Sequence, residues 1–298
     1  MPSRSAPRKT LSIAKHAAAR TSGLGSVCET EAMNAERMQP LHRLPDAALQ
    51  RLRGVLTDID DTLTRGGAIE AVALQALQQL ARAQLPVIAI TGRPAGWSEA
   101  FAMDWPVAAI VAENGAVMLR REGSQLQREF TQDEATRAAN LLRLQQCAGA
   151  VRLAVPQARL ARDSGGRLTD IAVDHSEFEQ LADADIDTVL AVMHAHGLNA
   201  SVSSIHVNGW IGEHDKWSGA RWAVERALGL PFAAADWLYV GDSTNDQLMF
   251  EHLPLSVAVA NIRRFVPQLT MLPAYVTPSE RGQGFAEVAQ RLLDAKER

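Results

Sequence analysis

Only two cysteines, Cys28 and Cys147, occur in the 298 residues. They are far apart, and Cys28 lies in a stretch without structural pattern, which argues against a disulfide and makes a reducing cytoplasm the expected compartment. No apolar run approaches the roughly 20 residues that span a bilayer, so no membrane partner is expected. Basic charge is not in excess either. Lys and Arg number 30 against 34 Asp and Glu, a net charge of −4, which supplies no field to draw in nucleic acid. What remains is a globular composition, 47% hydrophobic and 21% charged, in a chain long enough for one large domain or two ordinary ones.

Residues 1 to about 40 differ from the rest. Arg4, Arg8, Lys9, Lys15 and Arg20 precede the first acid, Glu29, and apolar periodicity is weak. A targeting peptide shares this composition. No apolar core or cleavage-like site accompanies it, so the expectation is a disordered tail, or a start at Met33 or Met38.

From residue 53 short apolar runs alternate with helical patterns. The runs are Gly54–Asp58, Pro86–Thr91, Val107–Ala112, Trp237–Gly241 and Leu255–Ala260, and residues 68–83 carry apolar side chains at helical spacing. Runs apolar on both faces and separated by helices predict a parallel sheet covered on both sides, a doubly wound α/β domain with ligands at the carboxyl ends of its strands. The middle reads differently. A helix is expected over 131–146, with Thr131 as N-cap and Glu134 completing a capping box. A hairpin is expected over 159–174 around Ser164-Gly165-Gly166, and a second helix over 183–196, stopped by Gly197. Strands follow over 198–205 and 206–211. This gives an α+β module at 123–205, inserted into a core of 41–122 plus 206–298.

Four segments carry candidate chemistry. Asp58-Ile59-Asp60-Asp61 ends the first strand, and the two carboxylates at 58 and 60 project the same way if the strand continues. Buried together they require a cation or a shared proton. Thr91-Gly92-Arg93 ends the second strand and offers a hydroxyl and an approachable amide to an anion. Lys216 opens a helix, where its charge opposes the dipole and requires an anionic partner. Gly241-Asp242-Ser243-Thr244-Asn245-Asp246 ends a further strand with two acids and an amide, as either an N-cap or an all-oxygen site for a hard cation. Each segment alone has an ordinary structural explanation; the order Asp-x-Asp, Thr, Lys, Gly-Asp-x-x-x-Asp is far more specific. His194 and His196, two apart on a helix, share no face and form no zinc site.

In that order and context the chain, over about residues 52–298, resembles the haloacid dehalogenase superfamily of phosphatases and phosphotransferases. The insert's position is similar to that of subfamily IIB. Ala112-Glu113-Asn114-Gly115-Ala116 and Val257–Asn261 are similar to stretches of that subfamily, whereas Asp61 stands where it usually has glycine. The resemblance implies Asp58 as nucleophile, Asp60 as general acid and base, and Thr91, Gly92 and Lys216 around the phosphoryl oxygens. It implies Mg2+ held by Asp58, the Asp60 carbonyl and Asp242, supported by Asn245 and Asp246. The substrate is then a small phosphorylated metabolite, a sugar phosphate for instance. Arg93, Asn114, Arg162, Arg167 and His206 are the candidates for recognising it, with Asp170 and Asn208 nearby, and the two arginines suggest a substrate with a second anionic group. A phosphomannomutase-like phosphotransferase and a non-catalytic binding protein are the alternatives.

Overall fold

The computed structural model describes residues 38–298, so the expected tail lies outside the described residues as far as residue 37. Its last three residues depart from that expectation. Met38 is buried, and Gln39–Pro40 (β1) forms a strand.

The described residues hold fifteen strands in chain order. β1 is followed by β2 (Gly54–Thr57), β3 (Thr64–Arg65), β4 (Ala68–Ile69), β5 (Val87–Ile90) and β6 (Ala109–Ala112). Then come β7 (Val117–Glu122), β8 (Gln125–Phe130), β9 (Arg159–Leu160), β10 (Asp170–Asp174), β11 (Asn199–Val202) and β12 (His206–Trp210). The last are β13 (Trp237–Gly241), β14 (Ser256–Ala258) and β15 (Tyr275–Val276).

Nine of them form one sheet in the order β1-β15-β14-β13-β2-β5-β6-β7-β8. It is parallel from β1 to β6, with β7 and β8 antiparallel at one edge. Every residue of β2, β5, β6 and β13 is buried, which is why these strands read as unbroken apolar runs. Helix Ala71–Arg82 turns Ala73, Ala76, Leu77 and Leu80 to one face of the sheet beside Phe285, Val288 and Leu292 of helix Arg281–Lys296. Helix Lys216–Leu228 covers the other face with Ala220, Ala223 and Val224 against Leu56, Ile88 and Tyr239. The doubly wound α/β class expected from the sequence is the fold.

A second, antiparallel sheet has the order β11-β12-β10-β9. Helices Glu134–Ala154 and Asp183–Ala195 pack on it through Leu144, Cys147, Val151, Val189 and Met193, against Val173 and Val207. The insert's expected limits shift at both ends. β8 lies beyond residue 123 yet continues the large sheet through a hairpin with β7, turning at Gly123 with φ +63°. β12 begins at residue 206 yet pairs with β10 and β11 in the small sheet.

Three local expectations also change. The long helix starts at Glu134 because Asp133 caps it, accepting the Thr136 amide at 2.7 Å. Thr131 is engaged elsewhere, its amide and hydroxyl both donating to Ala116 O. The strand expected over 198–205 contracts to β11. The hairpin expected over 159–174 pairs only Arg159–Leu160 with Val173–Asp174. Its middle is a loop with a 3-10 turn at Ser164–Gly166, which docks on helix Ala95–Asp104. A Cβ on Gly96 would meet Gly166 Cα at 2.9 Å, so this close approach needs glycine. No helix among the described residues is long and apolar enough to cross a membrane.

Candidate active site

Parallel pairing of β2 with β13 sets Thr57 opposite Val240, so the residues that follow, Asp58 and Asp242, emerge at the same edge of the sheet. The Asp58 amide donates to Val240 O at 2.8 Å. Lys216, at the start of its helix, reaches back so that Nζ donates to Asp58 Oδ1 at 2.6 Å and to Asp246 Oδ1 at 2.7 Å. The unfavourable helix position is thereby offset by two carboxylates. Asp215 caps this helix reciprocally with Ser218, which fixes the direction in which Lys216 leaves the backbone.

Asp246 accepts four bonds. Oδ1 takes Lys216 and the Tyr239 hydroxyl, the latter at 2.5 Å, and Oδ2 takes the amides of Asp242 and Ser243 at 2.8 and 3.1 Å. Asp246 thus holds Lys216 and the Asp242 turn in place. Asn245 Oδ1 accepts from Ser243 Oγ. Asp242 Oδ2 accepts from Asn261 Nδ2 at 2.9 Å, whereas Asp242 Oδ1 is buried without a partner among the described residues.

Burial pushes Asp58 up to about 8, against the pull of Lys216 and reinforced by Asp246 and Asp60. Asp242 is raised well above the carboxylate range by burial and then by Asp58 and Asp246. Asp58, Asp242 and Asp246 offer oxygens within 4.8 Å of one another. A hard divalent cation fits this place on two grounds, the all-oxygen donor set and the unpartnered Asp242 Oδ1. Lys216 is held above its usual value: burial lowers it, but Asp246 and Asp58 outweigh that.

β2 stops at Thr57, yet Asp58 and Asp60 both line one cavity with Gly92, Arg93, His206 and Asn208. Its volume is about 10 Å³, room for about one water. Thr91 Oγ1 accepts the Arg93 amide at 2.9 Å and lies 3.5 Å from Asp60 Oδ2. The Arg93 guanidinium grips Asp60 through Nε and Nη2 at 2.9–3.1 Å. Its other edge reaches into the insert, to Asp163 at 3.1 Å and to Glu177 at 2.7 and 3.2 Å. Burial opposes the Arg93 charge, but Asp60 and Glu177 outweigh it and hold it firmly protonated.

Asn114 sits behind Gly92, its amide donating to Thr91 O. His206 lies on the insert side, with Nε2 3.0 Å from Glu177 Oε2. Neither Arg162 nor Arg167 lines the cavity. Arg162 stacks on exposed Phe178 at 4.0 Å. Arg167 is buried and spent on Asp170, Asp163 and Gly92 O. Asp61 points away from the cavity to Arg281 Nε at 2.7 Å and Arg264 Nη2 at 3.0 Å. Its φ of +55° explains why glycine suits this position in the family it resembles.

Several residues at the site are not singled out for a role by the sequence pattern, although Glu113 lies in the 112–116 stretch. Glu113 is fully buried and accepts from the Ala95, Leu168 and Thr169 amides and the Thr169 hydroxyl, pinning the insert loop to the sheet. Asp163 and Glu177 lie in loops of the insert. Tyr239 had a weak signal, as a hydroxyl inside an apolar strand.

A profile of haloacid dehalogenase-like hydrolases matches residues 55–155. A phosphoglycolate phosphatase from Archaeoglobus fulgidus is 26% identical over 242 residues, 80% of this chain and 96% of its own length. Two solved structures share the fold at 17% identity. A HAD/Cof-like hydrolase from Plasmodium vivax has a TM-score of 0.62 and covers 84% of this chain and 99% of its own. A sucrose-phosphatase from Synechocystis has a TM-score of 0.59 and covers 81% and 98%. Four motif segments converge on one sheet edge beneath an α+β insert, residues 55–155 match the haloacid dehalogenase-like hydrolases, and the whole fold is similar to that of the two solved structures.

Proposed function

We propose that the protein is a magnesium-dependent phosphatase of a small phosphorylated metabolite, and that it works through a phosphorylated Asp58. The observation that carries this is Asp58 beside the unpartnered Asp242 Oδ1, with Lys216 on Asp58 Oδ1. Lys216 occupies one oxygen and leaves Oδ2 to attack phosphorus.

As the Asp58–phosphorus bond forms, the bond to the leaving oxygen breaks, and Asp60 gives that oxygen a proton. Water then attacks the same phosphorus and gives its proton to Asp60. The Asp58–phosphorus bond breaks, restoring the Asp58 carboxylate and the protonated Asp60 and releasing inorganic phosphate. Thr91 and the Gly92 amide bind the phosphoryl oxygens with Lys216. Asp58 and Asp242 would hold magnesium, which supplies positive charge against the phosphoryl group when bound. Arg93 orients the Asp60 carboxylate, and the insert acts as a cap that shields the site from water.

The relatives support a phosphometabolite substrate, since their names include phosphoglycolate phosphatase and sucrose-phosphatase. The test is phosphate release from a panel of phosphorylated metabolites with Mg2+, beside an aryl phosphate and Asp58→Asn. Magnesium-dependent release that Asp58→Asn abolishes supports the proposal. Release by Asp58→Asn within about tenfold of wild type would sink the covalent route.

A further inference from the structure

The departing group of a phosphate ester must lie beside Asp60, which protonates it. That places it under the turn between β11 and β12, against Arg93, His206 and Asn208. The charge of these walls decides what can enter.

Among the described residues, Arg93 is the one guanidinium or ammonium lining the cavity. It is 4% exposed and carries three carboxylates, those of Asp60, Asp163 and Glu177. Glu177 is shared with His206, and these contacts hold it down at about 2 although burial raises it; it stays ionised. Arg167 behind them has its charge paired with Asp170 and Asp163 through Nη1 and Nη2, and only its Nε lacks a partner among the described residues. Lys216 is committed to Asp58 and Asp246, on the phosphoryl side. A second anion on the substrate would therefore meet no uncommitted cation among the described residues that line the cavity. It would also meet Asp60 in the cavity wall, with Glu177 and Asp163 close behind on Arg93, in a buried space where like charges repel strongly.

Beside Gly92, two neutral amides are left unsatisfied. Asn208 is 1% exposed and its Oδ1 has no partner among the described residues; Asn114 is 2% exposed and its Nδ2 has none among them. Both crowd Gly92, where a Cβ would meet Asn208 Nδ2 at 2.9 Å and Asn114 Oδ1 at 3.2 Å. Buried amides without partners are costly, and a hydroxyl-bearing ligand satisfies them without bringing charge.

We infer that the leaving-group side of this site selects uncharged, hydroxyl-bearing groups and rejects those with a second anion. Glu177 sets the rejection by occupying Arg93, and Asn208 supplies a hydroxyl contact. This rests on the phosphatase reading and separates this chain from its phosphoglycolate-hydrolysing relative, whose leaving group carries a carboxylate.

The probes are glycerol 1-phosphate, with a neutral diol leaving group, and 2-phosphoglycolate, with an aryl phosphate as reference. Wild type should prefer the diol by about tenfold or more in kcat/KM. Glu177→Gln frees one edge of Arg93 and should narrow that ratio about tenfold; Asp163→Asn frees the same edge if the first variant fails to fold. Asn208→Ala should weaken the diol about 5- to 10-fold relative to the aryl phosphate. Preference for phosphoglycolate by wild type, or a ratio unmoved in both Glu177→Gln and Asp163→Asn, overturns the inference. Calorimetric titration of Asp58→Asn with the same two phosphates reads the selection without turnover. Failure to hydrolyse any ester therefore counts against the phosphatase reading, and tighter binding of phosphoglycolate counts against this one.

Discussion

Arg93 holds Asp60 through two nitrogens at 2.9–3.1 Å, and with the same guanidinium it holds Glu177 of the insert at 2.7 Å. One side chain thus positions the proposed acid and fastens the cap. Lysine cannot reproduce that fork. Arg93→Lys should lower kcat/KM on an aryl phosphate by about 10- to 100-fold, the worth of one or two charge-assisted hydrogen bonds. Arg93→Ala should also speed limited proteolysis at the connections near residues 131–133 and 211–215. Unchanged kinetics in both variants would remove Arg93 from the machinery.

Lys216 is buried between Asp58 and Asp246. Removing it leaves two acids facing each other without their cation. Lys216→Ala should lower the unfolding free energy by about 3–5 kcal/mol, read by urea titration with chelator present. A loss below about 1 kcal/mol would mean the acids share a proton readily and the lysine matters little to the fold.

Magnesium should stabilise the folded protein by binding it and not the unfolded chain. Millimolar Mg2+ should raise Tm by several degrees in wild type. Asp242→Asn should abolish that rise, because its unpartnered Oδ1 sits where the cation fits. Equal rises in both proteins would place the ion elsewhere.

His214 is 7% exposed, and its Nε2 is buried without a partner among the described residues. Burial pushes its pKa down to about 4, only partly countered by Asp215. The unfolded imidazole titrates near 6.5, so between about pH 6.5 and 4 the unfolded chain takes up a proton that the native one refuses. The stability His214 provides is fully present above pH 6.5 and is lost as pH falls through this window. At pH 4.5 the loss should be about 2–3 kcal/mol. Urea unfolding at pH 7 and 4.5, wild type against His214→Gln, reads it as a difference; a pH dependence equal in both refutes it. His175, also lowered by burial, is common to both proteins and cancels.

Asp61 combines a left-handed φ of +55° with ion pairs to Arg264 and Arg281. Both Asp61→Gly and Asp61→Ala lose the pairs, but only alanine retains the conformational cost of the positive φ. Asp61→Ala should therefore be less stable than Asp61→Gly by about 1 kcal/mol. Thermal unfolding of the two variants side by side tests this, and equal stability would show that the backbone relaxes.

Some of this protein is written locally. Buried parallel strands need apolar residues on both faces, so β2, β5, β6 and β13 appear as runs. The turns after them must present Asp58, Thr91 and Asp242 at the carboxyl end. Helix Lys216–Leu228 runs as the sequence pattern suggests, opened by the Asp215 cap and closed by Gly229 at φ +65°. These features depend on neighbours within a few residues, and period and capping report them directly.

Other features depend on residues brought together from far along the chain. Glu177 and Asp163 meet Arg93 across 84 and 70 positions, and no local pattern marks them. Asp133 displaces Thr131 as cap only because the edge hairpin draws Thr131 to Ala116. β8 and β12 change sheets relative to the boundaries expected at 123 and 205, since strand partners are chosen by register and face rather than by composition. Two arginines eight residues or fewer from the hairpin tip look alike in sequence, yet Arg167 is buried among acids and Arg162 rests on Phe178 in solvent. The motifs by themselves determined the fold class and which residues gather at the strand ends. Tertiary packing alone decided which charges there are already neutralised, because a buried charge is settled by its partners in space.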